Sequence, residues 1–165
     1  MLSPNTELTQ TPSLLSPDED EFAEYGPASE YCLQLLKDAS RLLQNNAANW
    51  NDEAGCFSFA GHDHYLLPAD PDVSETELVN ACYMMRLPIA IGDEPWAVYM
   101  LELNLMLVAN TGFSLAVDDE HGLVLVKQLA GSHLNPMTLA STVEAACDVI
   151  DAVIRDYLFE AMDPS

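Results

Sequence analysis

Apolar residues first take on a helical rhythm just after Pro27. Cys32, Leu35, Leu36, Ala39, Leu42 and Leu43 recur at the spacing of one buried helix stripe, while Lys37, Asp38, Arg41 and Gln44 fall outside it. Ser29 is placed to cap this helix and Glu30 to meet the positive end of its dipole. The helix is expected to end near Asn45, since Asn45-Asn46-Ala47-Ala48-Asn49 is too poor in apolar residues to continue the stripe and leads into a loop. The period then shortens to two. Phe57 and Phe59 alternate with Ser58, and after a polar Gly61-His62-Asp63-His64 turn comes Tyr65-Leu66-Leu67, which together read as a hairpin. A loop rich in Pro and Asp, Pro68 to Ser74, precedes a third strand in which Val79, Ala81, Tyr83, Met85 and Leu87 face one way and Asn80 and Arg86 the other.

Pro95 suits the first turn of a second helix, where its missing N–H costs nothing, and Trp96 to Ala109 is rich in Met and Leu. This helix is apolar nearly all round, so it needs covering on both sides, by its own domain and by a second subunit or a client. Asn110 and Gly112 are placed to end it. Phe113, Leu115 and Val117 then alternate, Asp118-Asp119-Glu120-His121-Gly122 forms a turn, and Leu123 to Leu129 returns as a strand. After Asn135-Pro136 a last helix places Leu139, Val143, Ala146, Ile150, Val153 and Tyr157 inside and Glu144, Asp148, Asp151 and Arg155 outside, ending near Phe159. The order α-β-β-β-α-β-β-α lacks the strict alternation of a parallel sheet, and predicts an α+β helix/sheet sandwich with mostly antiparallel strands.

The chain has 165 residues, enough for one domain, which we place at 28–161 with a short tail at 162–165. Residues 1–27 hold Pro4, Pro12, Pro17 and Pro27 and six acids with no base, and predict a flexible acidic tail. Apolar residues make up 49% of the chain, enough for a core, but 27 acids against 5 bases leave a net charge of −22. Five scattered cations cannot replace phosphate counterions, which argues against nucleic acid and anionic membrane as partners. Basic or amphipathic proteins suit this surface better. The longest apolar stretch, Trp96 to Val108, is too short to span a membrane and is broken by Glu102 and Asn104, so no membrane insertion is expected. Residues 1–20 lack the cations and apolar core of a signal peptide, which makes the cytoplasm the expected compartment.

Candidate chemistry is sparse. Cys32, Cys56, Cys82 and Cys147 stand far apart with no C-x-x-C pair, and read as small buried hydrophobes. No phosphate-binding loop, nucleophile elbow or zincin motif occurs. His62-x-His64, with Cys56 or Asp63 as conceivable further ligands, lacks a second pair and reads as solvated. Asp118 to His121 lacks the alternating carboxylates of a calcium loop, and Asp70, Asp72, Glu75 and Glu77 read as a solvated acidic loop. Neither a metal nor a cofactor is expected. Of the seven methionines, Met84, Met85, Met100 and Met106 sit in the most apolar elements, where flexible thioethers fill cores and also accept varied partners.

In order and spacing the chain resembles the class I chaperones of bacterial type III secretion, the family typified by the Tir chaperone. The resemblance spans about residues 29 to 160. It rests on Tyr31-Cys32-Leu33-Gln34-Leu35-Leu36, on strands ending at Leu87-Pro88, on Leu101 to Gly112, on the paired Phe113 to Asp118 and Leu123 to Val126, and on a helix after Leu134-Asn135-Pro136. The acidic extension before Pro27 departs from the family's compact start. The resemblance implies a bacterial cytoplasmic homodimer without catalytic activity. Such a dimer pairs through the second helix and holds the N-terminal segment of secreted effectors in extended form, with the secretion ATPase as a further partner. We expect the dimer interface at Trp96, Tyr99, Met100, Leu103 and Met106. Client binding is expected at Leu33, Leu36, Phe57, Phe59, Tyr83 and Met85, with Leu33 the sharpest case because it lies off the buried stripe beside Lys37 and Ser40. A small acidic adaptor that binds a folded partner of the secretion system is the alternative, and an enzyme or ligand-binding domain with a dispersed site a third.

Overall fold

A computed structural model of the chain describes residues 27–43, 49–89 and 94–154. The acidic tail before Pro27, the expected helix end at Asn45, and Tyr157, Phe159 and the last four residues lie outside these stretches.

Helix α1 spans Ala28–Leu42 and begins two residues earlier than Ser29 would allow as its cap. Pro27 occupies the N-cap with no side-chain hydrogen bond; the entry is held instead by the bridge of Pro27 to Ser74 and by the Ala28 N–H, which donates to the Val73 carbonyl at 3.0 Å. The buried stripe is Ala28, Cys32, Leu35, Leu36, Ala39, Ser40 and Leu43, whereas Leu42, expected inside, is exposed. The reason is angular: stepping 32, 36, 39, 43 keeps one face, and residue 42 stands a full 100° away from 43.

Among the described residues six strands form one antiparallel sheet in the order β1-β2-β3-β4-β6-β5. The strands are β1 (Asn49–Asn51), β2 (Cys56–Phe59), β3 (His62–Pro68), β4 (Asn80–Arg86), β5 (Ser114–Asp118) and β6 (Gly122–Ala130). The α+β class and antiparallel sheet stand as expected, and β1 adds one short strand in place of part of the predicted loop. The polar turn expected at residues 61–64 is a two-residue turn instead, Ala60-Gly61 with φ of 53° and 82°, the positive pair that suits a tight hairpin. His62, Asp63 and His64 therefore lie on β3, and alternation carries His64 into the core.

Helix α2 spans Glu94–Thr111 and α3 spans Pro136–Val149, continued by a π-helical turn, Ile150–Ile154. The start of α3 follows its local chemistry: Asn135 accepts from the Thr138 N–H at 2.9 Å, Thr138 returns a bond to the Asn135 N–H, and Pro136 begins the helix. Helices α1 and α3 pack on each other, and α1 packs on β2 and β3, so that Leu36, Ala39, Leu139, Val143 and Ala146 meet Phe57, Tyr83, Met85 and Leu125 in one core. A smaller cluster on the sheet's other face joins Cys56, Tyr65, Met84 and Val124. Val79, expected to share the inward face of the third strand, stands just outside β4 and is exposed. No helix among the described residues is long and apolar enough to cross a membrane.

Candidate functional site

The apolar surface left uncovered lies chiefly on α2. Met100, Leu103 and Leu107 recur along one side and are buried against β5 and the core, while Val98, Leu101, Leu105 and Val108 recur on the other and are exposed, Leu105 at 75% and Leu101 at 69%. Beside this outer stripe an apolar groove of about 270 Å³ opens between α2 and β5, lined by Ala97, Leu101, Asn104, Leu115, Ala116 and Val117 among others. Val117 is itself exposed at the groove's rim.

The expected interface residues divide across this helix. Met106 is exposed, Tyr99 is half-buried, and Met100 and Leu103, the latter 2% exposed, face inward. Those two are held inside the protomer, and the exposed large apolar residues of α2 are Val98, Leu101, Leu105, Met106 and Val108 among the described side chains. A helix apolar on all sides has no polar face to fix its orientation, so its pattern could not separate the two sides. The side chain of Trp96 lies outside the described residues.

Of the expected client residues, Leu33 alone is exposed, at 40%. Leu36, Phe57, Tyr83 and Met85 are fully buried and Phe59 nearly so. These five belong to the core between α1 and the sheet, because Leu36 lies on the inner stripe of α1 and inward alternation on β2 and β4 points Phe57, Phe59, Tyr83 and Met85 at the helices. Leu33 leans on the β1–β2 turn: a Cβ on Gly55, whose φ is +63°, would stand 3.0 Å from Leu33 Cδ2. Nearby, half-buried Trp50 donates its Nε1–H to Asp52 at 2.6 Å, and the Lys37 ammonium sits 5.8 Å from the Trp50 ring centre and 3.7 Å from Asp52. Leu33, Trp50 and this turn thus form a small mixed surface beside the middle of α1.

The buried polar centre lies beneath. His64 is fully buried, stacked on Phe57 with centroids 5.0 Å apart and on Tyr83 at 6.0 Å. Its Nε2–H donates to the Phe59 carbonyl at 3.1 Å, which leaves Nδ1 to accept from the Tyr83 hydroxyl at 2.7 Å. A ring with one nitrogen donating and the other accepting is neutral, and desolvation lowers its pKa to about 4. The imidazole reads as a satisfied core group, and the solvated His62-x-His64 pair is corrected accordingly. His62 donates through Nδ1 to the Arg86 carbonyl at 3.2 Å.

At the end of the sheet where the β2–β3 and β5–β6 turns meet, a cavity of about 530 Å³ is lined by His62, Asp63, Arg86, Ile89, Glu120 and His121 among others. Its polar groups are largely engaged. Ser58 donates to Asp63 at 2.5 Å, and Asp118 accepts from the His121 ring and from the N–H groups of Glu120 and His121, which draws its carboxyl below the usual range. No group of three or more His, Cys, Asp or Glu able to hold a metal occurs among the described residues. Desolvation raises all four thiols, Cys32 and Cys147 to about 11, the opposite of what a nucleophile needs. Cys32 and Cys56 are buried as expected, and Cys82 and Cys147 half-buried.

The model of the Tir chaperone protein (CesT) family matches residues 75–152, the stretch that contains β4, α2, β5, β6 and α3 up to its π-helical turn. Among solved structures, a chain of the HopA1-SchA chaperone-effector complex is similar at 19% identity and a TM-score of 0.47, over 72% of this chain and 88% of that one. No curated protein sequence matches the chain. The resemblance to class I type III secretion chaperones read from element order and spacing is borne out by the family match.

Proposed function

We propose that this protein is a type III secretion chaperone: a homodimer, without catalysis of its own, that holds an effector's N-terminal segment extended and keeps it soluble and competent for secretion. The observation that carries this reading is the match of residues 75–152 to the Tir chaperone family, a stretch that includes the uncovered helix α2. The chemistry is consistent with it. An extended client has unpaired backbone groups and scattered apolar side chains, which a strand edge and apolar surface can satisfy without reacting. A net charge of −22 keeps such a molecule soluble and draws basic flanks of the client toward it, acting more on association rate than on affinity. The second copy would cover Val98, Leu101, Leu105 and Val108 of α2 together with Val117, with Tyr99 and Met106 at the margin. The client would touch Leu33 and the surface around Trp50. The same reading implies delivery to the secretion ATPase.

Co-expression with the products of neighbouring open reading frames tests it. A neighbour should become soluble, co-purify, and yield an extended protease-protected segment near its N-terminus; a partner protected throughout as a compact fold would favour the adaptor instead. Leu33→Asp should weaken client retention while moving stability by no more than about 0.5 kcal/mol, as surface substitutions do. Full retention in that variant would place the client elsewhere.

A further inference from the structure

Apolar burial has no direction: a helix gains by covering its leucines whichever of them are covered. In α2 the two stripes are close to equivalent on this count, since Leu103 and Leu107 lie on the buried side and Leu101 and Leu105 on the exposed one. Half a turn about the helix axis would exchange the stripes and bury as many leucines. A hydrogen bond, unlike burial, is directional and can choose between such rotations.

Asn110 donates to the Met106 carbonyl at 2.9 Å and Thr111 to the Leu107 carbonyl at 2.7 Å, bonds within the helix that any rotation preserves. Asn104 reaches a different element. Its Nδ2–H donates to the Leu115 carbonyl at 3.2 Å and its Oδ1 accepts from the Leu115 N–H at 2.8 Å, so one carboxamide engages both backbone groups of a single β5 residue. On the helix surface Asn104 falls between the stripes, about 100° from Leu103 on one side and from Leu105 on the other. Asn104 and Leu115 also line the apolar groove beside the outer stripe, so the two bonds stand at the margin of the surface offered to a partner. A rotation that exchanged the stripes would carry Asn104 away from β5 and break both bonds.

We propose that Asn104 is the positioning residue of α2: its two bonds to Leu115 fix the rotation of a helix that is apolar nearly all round, and so decide that Val98, Leu101, Leu105 and Val108 form the stripe presented outward. A single polar residue that selects one arrangement among several apolar ones acts in the same way in coiled coils. This deepens the chaperone reading and rests on it only for what the stripe meets.

Asn104→Leu keeps a similar branched shape and loses both bonds, and denaturant titrations at one protein concentration read its effect on the two helices. In the wild-type background Leu103→Ala and Leu36→Ala should each lower the folded-to-unfolded ratio by about thirtyfold or more. In the Asn104→Leu background the loss caused by Leu103→Ala should fall to about a tenth of that, because the helix is free to turn Leu101 or Leu105 inward instead, while the loss caused by Leu36→Ala stays the same. The Leu115 amide should exchange about tenfold faster in Asn104→Leu, the scale of one lost hydrogen bond. A side chain that merely added stability would lower the ratio in every variant and leave the loss at Leu103 unchanged. Asn104→Asp keeps the acceptor and loses the donor, and serves if Asn104→Leu does not fold; its Leu115 amide should stay protected and its loss at Leu103 should be reduced part of the way. An undiminished loss at Leu103 in the variant that folds, an equal reduction at Leu36, or a Leu115 amide indifferent to Asn104→Leu overturns the assignment. The chaperone reading would survive each of these results, since it is decided by whether a neighbouring gene product co-purifies.

Discussion

Helix α1 turns Cys32, Leu35, Leu36 and Ala39 inward and leaves mostly polar residues outside, whereas α2 buries Met100, Leu103 and Leu107 and also leaves Val98, Leu101, Leu105 and Val108 in water. Each helix is already anchored by an inner stripe, Ala28 to Leu43 in α1 and Met100 to Leu107 in α2, so the outer stripe of α2 is apolar surface beyond that attachment. Burying a leucine or valine from water is worth about 1.5 to 3 kcal/mol, so four such side chains offer a partner several kcal/mol that the isolated fold leaves unused. The contrast separates residues that hold the protomer together from residues that join it to something else.

The largest expected effects fall on the inner stripes and should be alike in the two helices. Leu36→Ala in α1 and Leu103→Ala in α2 each remove a buried leucine, and each should lower the unfolding free energy by about 2 to 5 kcal/mol in denaturant titrations. A Leu103 variant as stable as the wild type would break the comparison, because α2 would then not be anchored by that side.

Beneath α1, His64 adds a pH dependence. Its folded pKa is lowered to about 4 from 6.5 by desolvation, so between these values the unfolded chain binds the proton that the folded one refuses. Stability must therefore be fully present above pH 6.5 and fall as pH drops toward 4, by an amount on the order of 3 kcal/mol. The groups nearest the ring are His62, which opposes its protonation, and Asp63, which favours it, with the Tyr83 hydroxyl and Phe59 carbonyl as direct partners. Measured against pH, His64→Gln should have a shallower slope over that window than the wild type; equal slopes would show that the imidazole is not titrating from the core.

A smaller change should come at the contact between α1 and the β1–β2 turn. Gly55→Ala puts a side chain at φ of +63° and within 3.0 Å of Leu33, and should cost about 1 to 2 kcal/mol in the melting curve. Gly55→Asn, which tolerates the left-handed conformation better, should cost less. Equal losses would point to the contact with Leu33 rather than the backbone.

How much of this could be read from the chain differs from element to element, for physical reasons. The start of α3 was legible because Asn135 and Pro136 carry their own capping chemistry, and the β5–β6 hairpin because alternation flanks a polar turn. β1 was not, because Asn-Trp-Asn has no strand pattern of its own and takes its conformation from pairing with β2. His64 was misplaced because a histidine beside Gly61 and Asp63 looks like a turn residue until the two-residue turn at Ala60 sets the register. The candidate surfaces were legible in part. That α2 needed a second cover followed from composition, but which of its sides faced out depended on packing against β5.

The smallest stability effect, and the one that bears most directly on the contrast between the helices, is expected for Leu105→Asp. The side chain is 75% exposed and makes no part of the core, so the carboxylate meets water in an isolated protomer and the unfolding free energy should move by no more than about 0.5 kcal/mol. If two copies meet through α2, the same carboxylate is carried into an apolar interface opposite its own symmetry mate, where an unpaired charge is far more costly. Light scattering at micromolar concentration should then report a dimer for the wild type and a monomer for the variant. Asp substitution at Leu42, the exposed leucine of α1, is the matched control and should leave the mass unchanged. A wild-type monomer, or a Leu105→Asp dimer, would assign the outer stripe of α2 to some occupant other than a second copy.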